Sequence, residues 1–381
     1  MQDSPSLPPN RLHSLLFCLL VGLLSIIAAE VVSGSNRFPF VGPAGINVMG
    51  WLITYPVYLL HTVFLAGLIA RANRTSWRSL LFAGSIFALY ECYIMKVLWN
   101  PFWSPEFALM FGGISWSHFV MLITWWHPLM AFALPILLAE MFLVREPLFL
   151  SGLPEWLQRK LLDPRFAKRI WVGVAVFVGV CSIVGQPAWL GLLAVAAHGL
   201  TVLFLFWLWR VLGYHRRFLM RDLLPGPVGL TVCGLLLAAL YVWATPNVMP
   251  ERLPGLKGHL TVIGLYVLFL AFIGIDRPVI SAANAPFAAL FPLVSLRPLF
   301  GAIQLAFVAG LPFILLGPWT VLLYLLHWWV ISPAFGLPLY FAAFVVALRL
   351  RFGSLAPANA AFNDRSIVSA SRADVTTTQT W

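Results

Sequence analysis

From Leu15 to Ala29 the chain reads LLFCLLVGLLSIIAA, without a single charge. Blocks of this kind recur along the sequence at the ~20-residue length an α-helix needs to cross a hydrocarbon core of about 30 Å. In lipid a backbone has to satisfy its own hydrogen bonds, so each block is either a helix or a strand of a closed barrel. Barrel strands alternate apolar and polar residues over about ten positions, and no such alternation is present. Composition agrees: 61% of residues are hydrophobic and 10% charged, against roughly 25% charged in a soluble domain. The expected fold class is all-α, a polytopic transmembrane helical bundle. Its ten spans fall near 14–32, 46–70, 79–98, 118–143, 169–185, 189–212, 225–244, 258–275, 299–316 and 319–348. A single transmembrane domain then covers 1–351, and 352–381, rich in Ala, Ser and Thr, is expected to be a disordered polar tail.

Basic residues set the orientation. With the N-terminus inside, 20 of the 24 Lys and Arg fall in cytoplasmic segments. The outer loops keep only Arg37, Arg252 and Lys257, and Lys96 stands near the outer end of the third span. Both termini are therefore expected in the cytoplasm, and the net charge of +11 reflects membrane topology. Nucleic acid is not an expected partner. The first block is long for a signal peptide and lacks an A-x-A site, so it reads as an uncleaved span. The stretch 278–294 is apolar, but its prolines and Asn284 favour an interfacial or re-entrant piece. Cys18, Cys92, Cys181 and Cys233 all lie within spans, which excludes a disulfide framework.

Two peripheral segments carry expectations of their own. In 153–162, LPEWLQRKLL, a short Pro-started helix should rest at the interface through Trp156, Leu157 and Leu161. The outer stretch 104–119, SPEFALMFGGISWSHF, is apolar but broken by Pro105, Gly112 and Gly113. It should lie at the interface and roof a polar cluster, with Trp116 and His118 at its rim.

That cluster is suggested by polar residues within the spans. Glu91 shares a helical stripe with Gly84, Ala88, Cys92 and Met95, and stripes of small residues face other helices. Lys96 is about 140° round the helix from Glu91, near enough to the outer interface to snorkel there. A buried carboxylate costs several kcal/mol unless neutralised or paired, so Glu91 needs a partner. Counted at about 1.5 Å per residue, Glu91, His127, His198 and His327 lie about 12–15 Å below the outer boundary. His61 is slightly deeper, on a face that also carries Thr54, Tyr58 and Thr62. Each histidine has an ordinary reading as a hydrogen-bonding residue between helices. Together with Glu91, imidazoles that titrate near neutrality make proton exchange available. No cofactor is required, although His127, His198, His327 and Glu91 could together hold a metal ion.

No H-E-x-x-H, P-loop, dinucleotide fingerprint or C-x-x-C pair is present. The paired-glutamate motif of the CAAX-type intramembrane proteases is missing too. The run AEVVSGSNRFPF, followed after one span by RTSWRSLLFAGSIFALYECYIMKVLWNP, resembles a widespread family of multi-pass membrane proteins of bacteria and archaea. In that family an acid precedes SGS, and a G-x-x-Y-G-x-x-E-E element lies in the third span. Glu30, Ser33, Gly34 and Ser35 match the first element; Gly84, Tyr90 and Glu91 match the second loosely, with Tyr90 directly before the acid and Cys92 where the second glutamate would stand. The resemblance implies a multi-pass fold and directs attention to Glu30 and Glu91; it implies no activity.

Ten helices, prolines within spans and buried titratable groups lead to the expectation of a proton-linked transporter or permease. The alternatives are an integral-membrane enzyme with an outward-facing His/Glu site and a membrane scaffold or assembly factor. Expected partners are membrane lipids and a small or lipidic solute, and the expected location is the cytoplasmic (inner) membrane.

Overall fold

A computed structural model describes residues 9–42, 45–102, 104–183, 187–214, 217–278, 295–315 and 319–352, without the side chains of Thr320, Val321 and Tyr324. Apart from Pro278 and Phe352, the 278–294 segment and the 352–381 tail lie outside these residues. Helices occupy all ten apolar segments. In chain order they are α1 (Arg11–Ile26), α2 (Tyr55–Arg71), α3 (Trp77–Ile94), α4 (Trp116–Met121) running through to α5 (Leu134–Leu143), α7 (Pro164–Ser182), α8 (Ala188–Val211), α10 (Pro227–Asn247), α11 (Leu256–Ile275), α12 (Arg297–Leu315), and α13 (Trp319–Leu326) running into α14 (Ser332–Phe352). Short helices α6 (Glu155–Leu161) and α9 (Met220–Leu223) lie in the connections. Eight of the ten are long and apolar enough to cross a membrane. The other two, α3 and α7, carry Arg78 and Glu91, and Arg165, Lys168 and Arg169, which lower their apolar content. The fold is an all-α polytopic bundle.

Local signals explain where the helices begin. Asn10 caps α1 by accepting from the His13 amide at 2.9 Å, Ser76 caps α3 through the Ser79 amide at 3.2 Å, and Asp163 caps α7 through the Arg165 amide at 2.9 Å. Each side chain takes up one of the orphan N–H groups of a first turn. Four stretches widen into π-helix: Ile27–Val31, Gly50–Thr54, Leu122–Ala133 and His327–Ile331. Three of them contain or closely precede a proline: Pro56, Pro128 and Pro333. A proline ring clashes with the carbonyl four residues back and removes a donor, and a wider turn is one way to accommodate it. Carbonyls of these wide turns also accept from side chains: Ser332 Oγ donates to His327 O at 3.0 Å, and Trp126 Nε1 to Ala29 O at 3.1 Å.

The helices differ sharply in depth within the bundle. Of the most apolar window in Trp116–Leu143, 72% is buried, against 17%, 22% and 11% for α10, α11 and α12. The continuous α4–α5 helix is thus the axis of the molecule, with α1, α2 and α3 around it. Its main core joins Phe17 and Val21 of α1, Ala66 of α2, Phe87 of α3, Phe132 and Phe142 of the axis, and Phe206 of α8.

Two buried carboxyl groups, Asp276 and Glu140, are fixed at the end of the bundle that carries the basic loops. Arg78 pairs with Asp276 at 2.7 Å, and Asp276 also accepts from Ser79 Oγ at 2.7 Å and from Ser76 Oγ. Glu140 accepts from the Leu148, Phe149 and Leu150 amides and so folds the chain back after α5. A carboxylate with several donors is a stable way to bury charge.

Peripheral expectations meet mixed outcomes. The 104–119 stretch forms a two-stranded hairpin of β1 (Met110–Phe111) and β2 (Ile114–Ser115), turning through Gly112 and Gly113 at φ +61° and +83°. Leu109, Met110 and Phe111 project outward, while Ile114, Ser115 and His118 are buried, so His118 is not at a rim. In α6, Trp156 is exposed, but Leu157 and Leu161 line an apolar cavity. Lys96 does not snorkel. Helix α3 stops at Ile94, Lys96 takes a left-handed backbone at φ 53°, and its fully buried ammonium donates to Val248 O. The end of the helix turns the side chain inward, where a continuing helix would have sent it out.

Candidate functional site

Glu91 sits one turn before the end of α3, and His127 lies in the π segment of the axis helix. The two meet because Gly84, two turns earlier on α3, lets the helices close against Pro128: a Cβ there would lie 2.6 Å from Pro128 Cα. His127 Nε2 is 3.2 Å from Glu91 Oε2, and His127 Nδ1 is 3.3 Å from Leu122 O. The carbonyl can only accept, so Nδ1 carries a hydrogen. The contact between Nε2 and Oε2 then holds one proton, on either the carboxyl or the imidazole. Glu91 has found its partner.

Glu30 approaches from the π segment that extends α1. One carboxylate oxygen accepts from Tyr58 OH of α2, the other from Ser35 Oγ at 2.5 Å. Ser33 Oγ donates to the Glu30 carbonyl at 3.1 Å and is 2.8 Å from Ser35 Oγ. The SGS turn is therefore folded onto the acid before it, with Gly34 at φ 77° closing the turn. Glu30 lies within electrostatic reach of both Glu91 and His127. Both acids retain partial exposure, whereas His127 and Tyr58 are buried. Two carboxylates, an imidazole and a phenol from four different segments thus form one group.

The remaining sequence candidates divide. His61 packs against α3, the helix that carries Glu91, through Phe87 and Tyr90. Its Nδ1 is 2.6 Å from Val57 O, and its ring stacks on Phe87 with centroids 5.0 Å apart and meets Tyr90 edge-on at 3.9 Å. Nε2 of His61 is buried without a hydrogen-bond partner among the described residues. His198 stays apart on α8, 2.7 Å from Ala194 O and facing Phe38. His327 sits among Trp126, Phe177 and Trp328. Neither joins Glu91. Equal depth did not bring these rings together, because depth leaves the direction each helix faces unspecified.

The expected metal set of His127, His198, His327 and Glu91 is accordingly not assembled. Among the described residues the atoms that do converge are those of Glu91, Cys92 and His127, all within 4.8 Å of one another. Cys92 Sγ lies 3.6 Å from Glu91 Oε2. A carboxylate, a thiol and an imidazole are a donor set that could bind a transition metal. Sequence reasoning left out Cys92, treating it as a missing glutamate, and left Tyr58 outside the site. Its signal was its place one turn before His61.

The fold and this cluster define a multi-pass helical membrane protein with an acid–imidazole group inside its bundle. The chain belongs to a family described as "Uncharacterized membrane protein family", whose sequence model matches residues 19–362. It is similar to an uncharacterized protein of Archaeoglobus fulgidus, 31% identical over 262 residues, covering 68% of this chain and 77% of that relative. No solved structure matches.

Proposed function

We propose that the Glu30–Tyr58 and Glu91–His127 pairs are the proton-transfer site of an integral-membrane enzyme, open to the outer side of the cytoplasmic membrane. The carrying observation is the 3.2 Å contact of Glu91 with His127, with a second carboxylate in electrostatic reach. One pair can give a proton while the other takes one, the arrangement general acid–base catalysis needs. Partial exposure of both acids leaves room for a reacting group.

Proton-linked transport is the second reading. It is favoured by π turns at Glu30 and His127, since broken helices build many carrier sites. A carrier also needs a route onward to the other side. Below the Ser25–Thr62 hydrogen bond at 3.0 Å, the described core is Phe17, Val21, Leu80, Phe132, Ile136 and Phe142, an apolar plug. This weighs toward the enzyme.

The test compares membrane extracts from cells lacking the protein, cells restored with it, and cells carrying Glu91→Gln or Glu30→Gln. The enzyme reading expects one compound to be converted in the restored cells alone, with deuterium from heavy water appearing in the product. Identical extracts in all four strains, together with pH-driven solute uptake by proteoliposomes, would replace it with the carrier.

A further inference from the structure

We propose that the apolar cavity between α1, α5, α6, α7, α8 and α12 binds one anionic phospholipid, its acyl chain inside and its phosphate among Lys160, Arg165, Lys168 and Arg297. Ala28 and Val32, two residues either side of Glu30, belong to its inner wall, but no residue of the acid cluster lines it, and the proposal does not depend on that cluster's function.

The cavity measures about 770 Å³ and is lined almost wholly by aliphatic side chains, among them Leu138, Val174, Val202, Ala302 and Ile303. At about 30 Å³ for a group the size of a water molecule or methylene, it takes roughly one long chain with part of a second. Water would find almost no hydrogen-bond partners there, and apolar cavities stay dry. In a bilayer the abundant dry filler is an acyl chain.

Apolar contact alone does not hold a particular lipid, because the chain is equally at home among other chains. Selection has to come from the head group. Four lining residues, Pro164, Ile170, Ser295 and Pro298, are exposed, and Pro164, Ser295 and Pro298 mark the mouth. Arg165 and Arg297 each stand next to one of them in sequence, and Lys160 and Lys168 lie close by on α6 and α7; all four are exposed. The Lys160 ammonium rests 5.3 Å from the Phe166 ring and 5.9 Å from the Trp156 ring.

Acids near this mouth are already engaged: Glu155 pairs with Arg159 at 2.9 Å, and Asp163 accepts the Arg165 amide at 2.9 Å. Among the described residues these four cations are left without a carboxylate. A basic pocket beside a greasy cavity, at the end of the bundle that the basic loops assign to the cytoplasm, matches an anionic lipid of that leaflet.

The experiment is native mass spectrometry of the full chain after exchange into equimolar phosphatidylglycerol and phosphatidylcholine. Retention of a single phosphatidylglycerol is expected after most detergent-borne lipid has been stripped. Arg165→Gln/Lys168→Gln/Arg297→Gln should lower that retention at least tenfold, while Ala302→Trp, which places an indole inside the cavity, should lower it for both lipids. Should Ala302→Trp fail to fold, Val174→Trp, at a lining residue of α7, serves instead. Retention of the two lipids in their bulk ratio, or unchanged retention in the indole variant, would overturn the assignment.

Discussion

Gly84 and Pro128 are in direct backbone contact across α3 and the axis helix: a methyl group on Gly84 would come within 2.6 Å of Pro128 Cα and 3.1 Å of its carbonyl oxygen. The neighbour is backbone, so it cannot swing aside. Gly84→Ala should destabilise the protein by about 1–3 kcal/mol through overpacking, despite the roughly 1 kcal/mol that alanine gains over glycine in a helix. Gly173→Ala on α7, with nothing within 4 Å, is the control and should be neutral or slightly stabilising. Thermal midpoints in detergent decide it. Equal midpoints would mean that the helices are not held this close.

The Arg78–Asp276 pair links the start of α3 to the end of α11 at 2.7 Å, with Asp276 fully buried. Asp276→Ala leaves a buried guanidinium without its partner and should cost about 3–5 kcal/mol. Adding Arg78→Met should recover part of that loss, since a buried cation without an anion is worse than neither. Yield of monodisperse protein and thermal midpoint are the readouts. A double variant as weak as Asp276→Ala alone would show that the serines, not the ion pair, carry the effect.

Much of the fold was legible because apolar runs are long and the lipid solvent leaves few ways to satisfy a backbone. The helices matched their ten segments for that reason. Counted depth was legible too, and it set Glu91, His127, His198 and His327 at one level with His61 slightly deeper. Azimuth was not. The π turns at Ile27–Val31 and Leu122–Ala133 add residues to a turn, so a 3.6-residue wheel misplaces Glu30 and His127 relative to the helices below them. His198 and His327 show the same limit from the other side: the same counted depth, different neighbours. Lys96 failed for a local reason, because helix α3 ends two residues before it.

Lys96 therefore becomes a stability test. Its ammonium donates to Val248 O in the chain after α10, and its backbone is left-handed at φ 53°. Lys96→Met leaves a covered carbonyl without its donor and should cost about 1–3 kcal/mol. Lys96→Gly loses the same donor but relieves a conformation that costs a non-glycine residue about 1–2 kcal/mol. The glycine variant should therefore melt above the methionine variant. The reverse order would mean that the lysine acts through apolar packing of its stem.

The Glu91–His127 contact makes the sharpest prediction, because it can be measured without knowing a substrate. Glu91→Gln keeps the size of the side chain and removes its charge, so the protein should still insert and fold. His127→Asn removes the ring that Glu91 faces. Residues in one hydrogen-bonded contact show coupling of about 0.5–3 kcal/mol, whereas distant ones add to within about 0.5 kcal/mol. The double variant Glu91→Gln/His127→Asn should therefore depart from the sum of its parts, and Glu91→Gln/His198→Asn should not, since His198 bonds to its own helix at Ala194 O. Glu30→Gln should couple to Glu91→Gln more weakly, because the two acids interact through charge, with no hydrogen bond between them among those of the described residues. If the Glu91 and His127 substitutions prove additive, the pair is not a unit, and the proton-transfer reading loses the observation on which it stands.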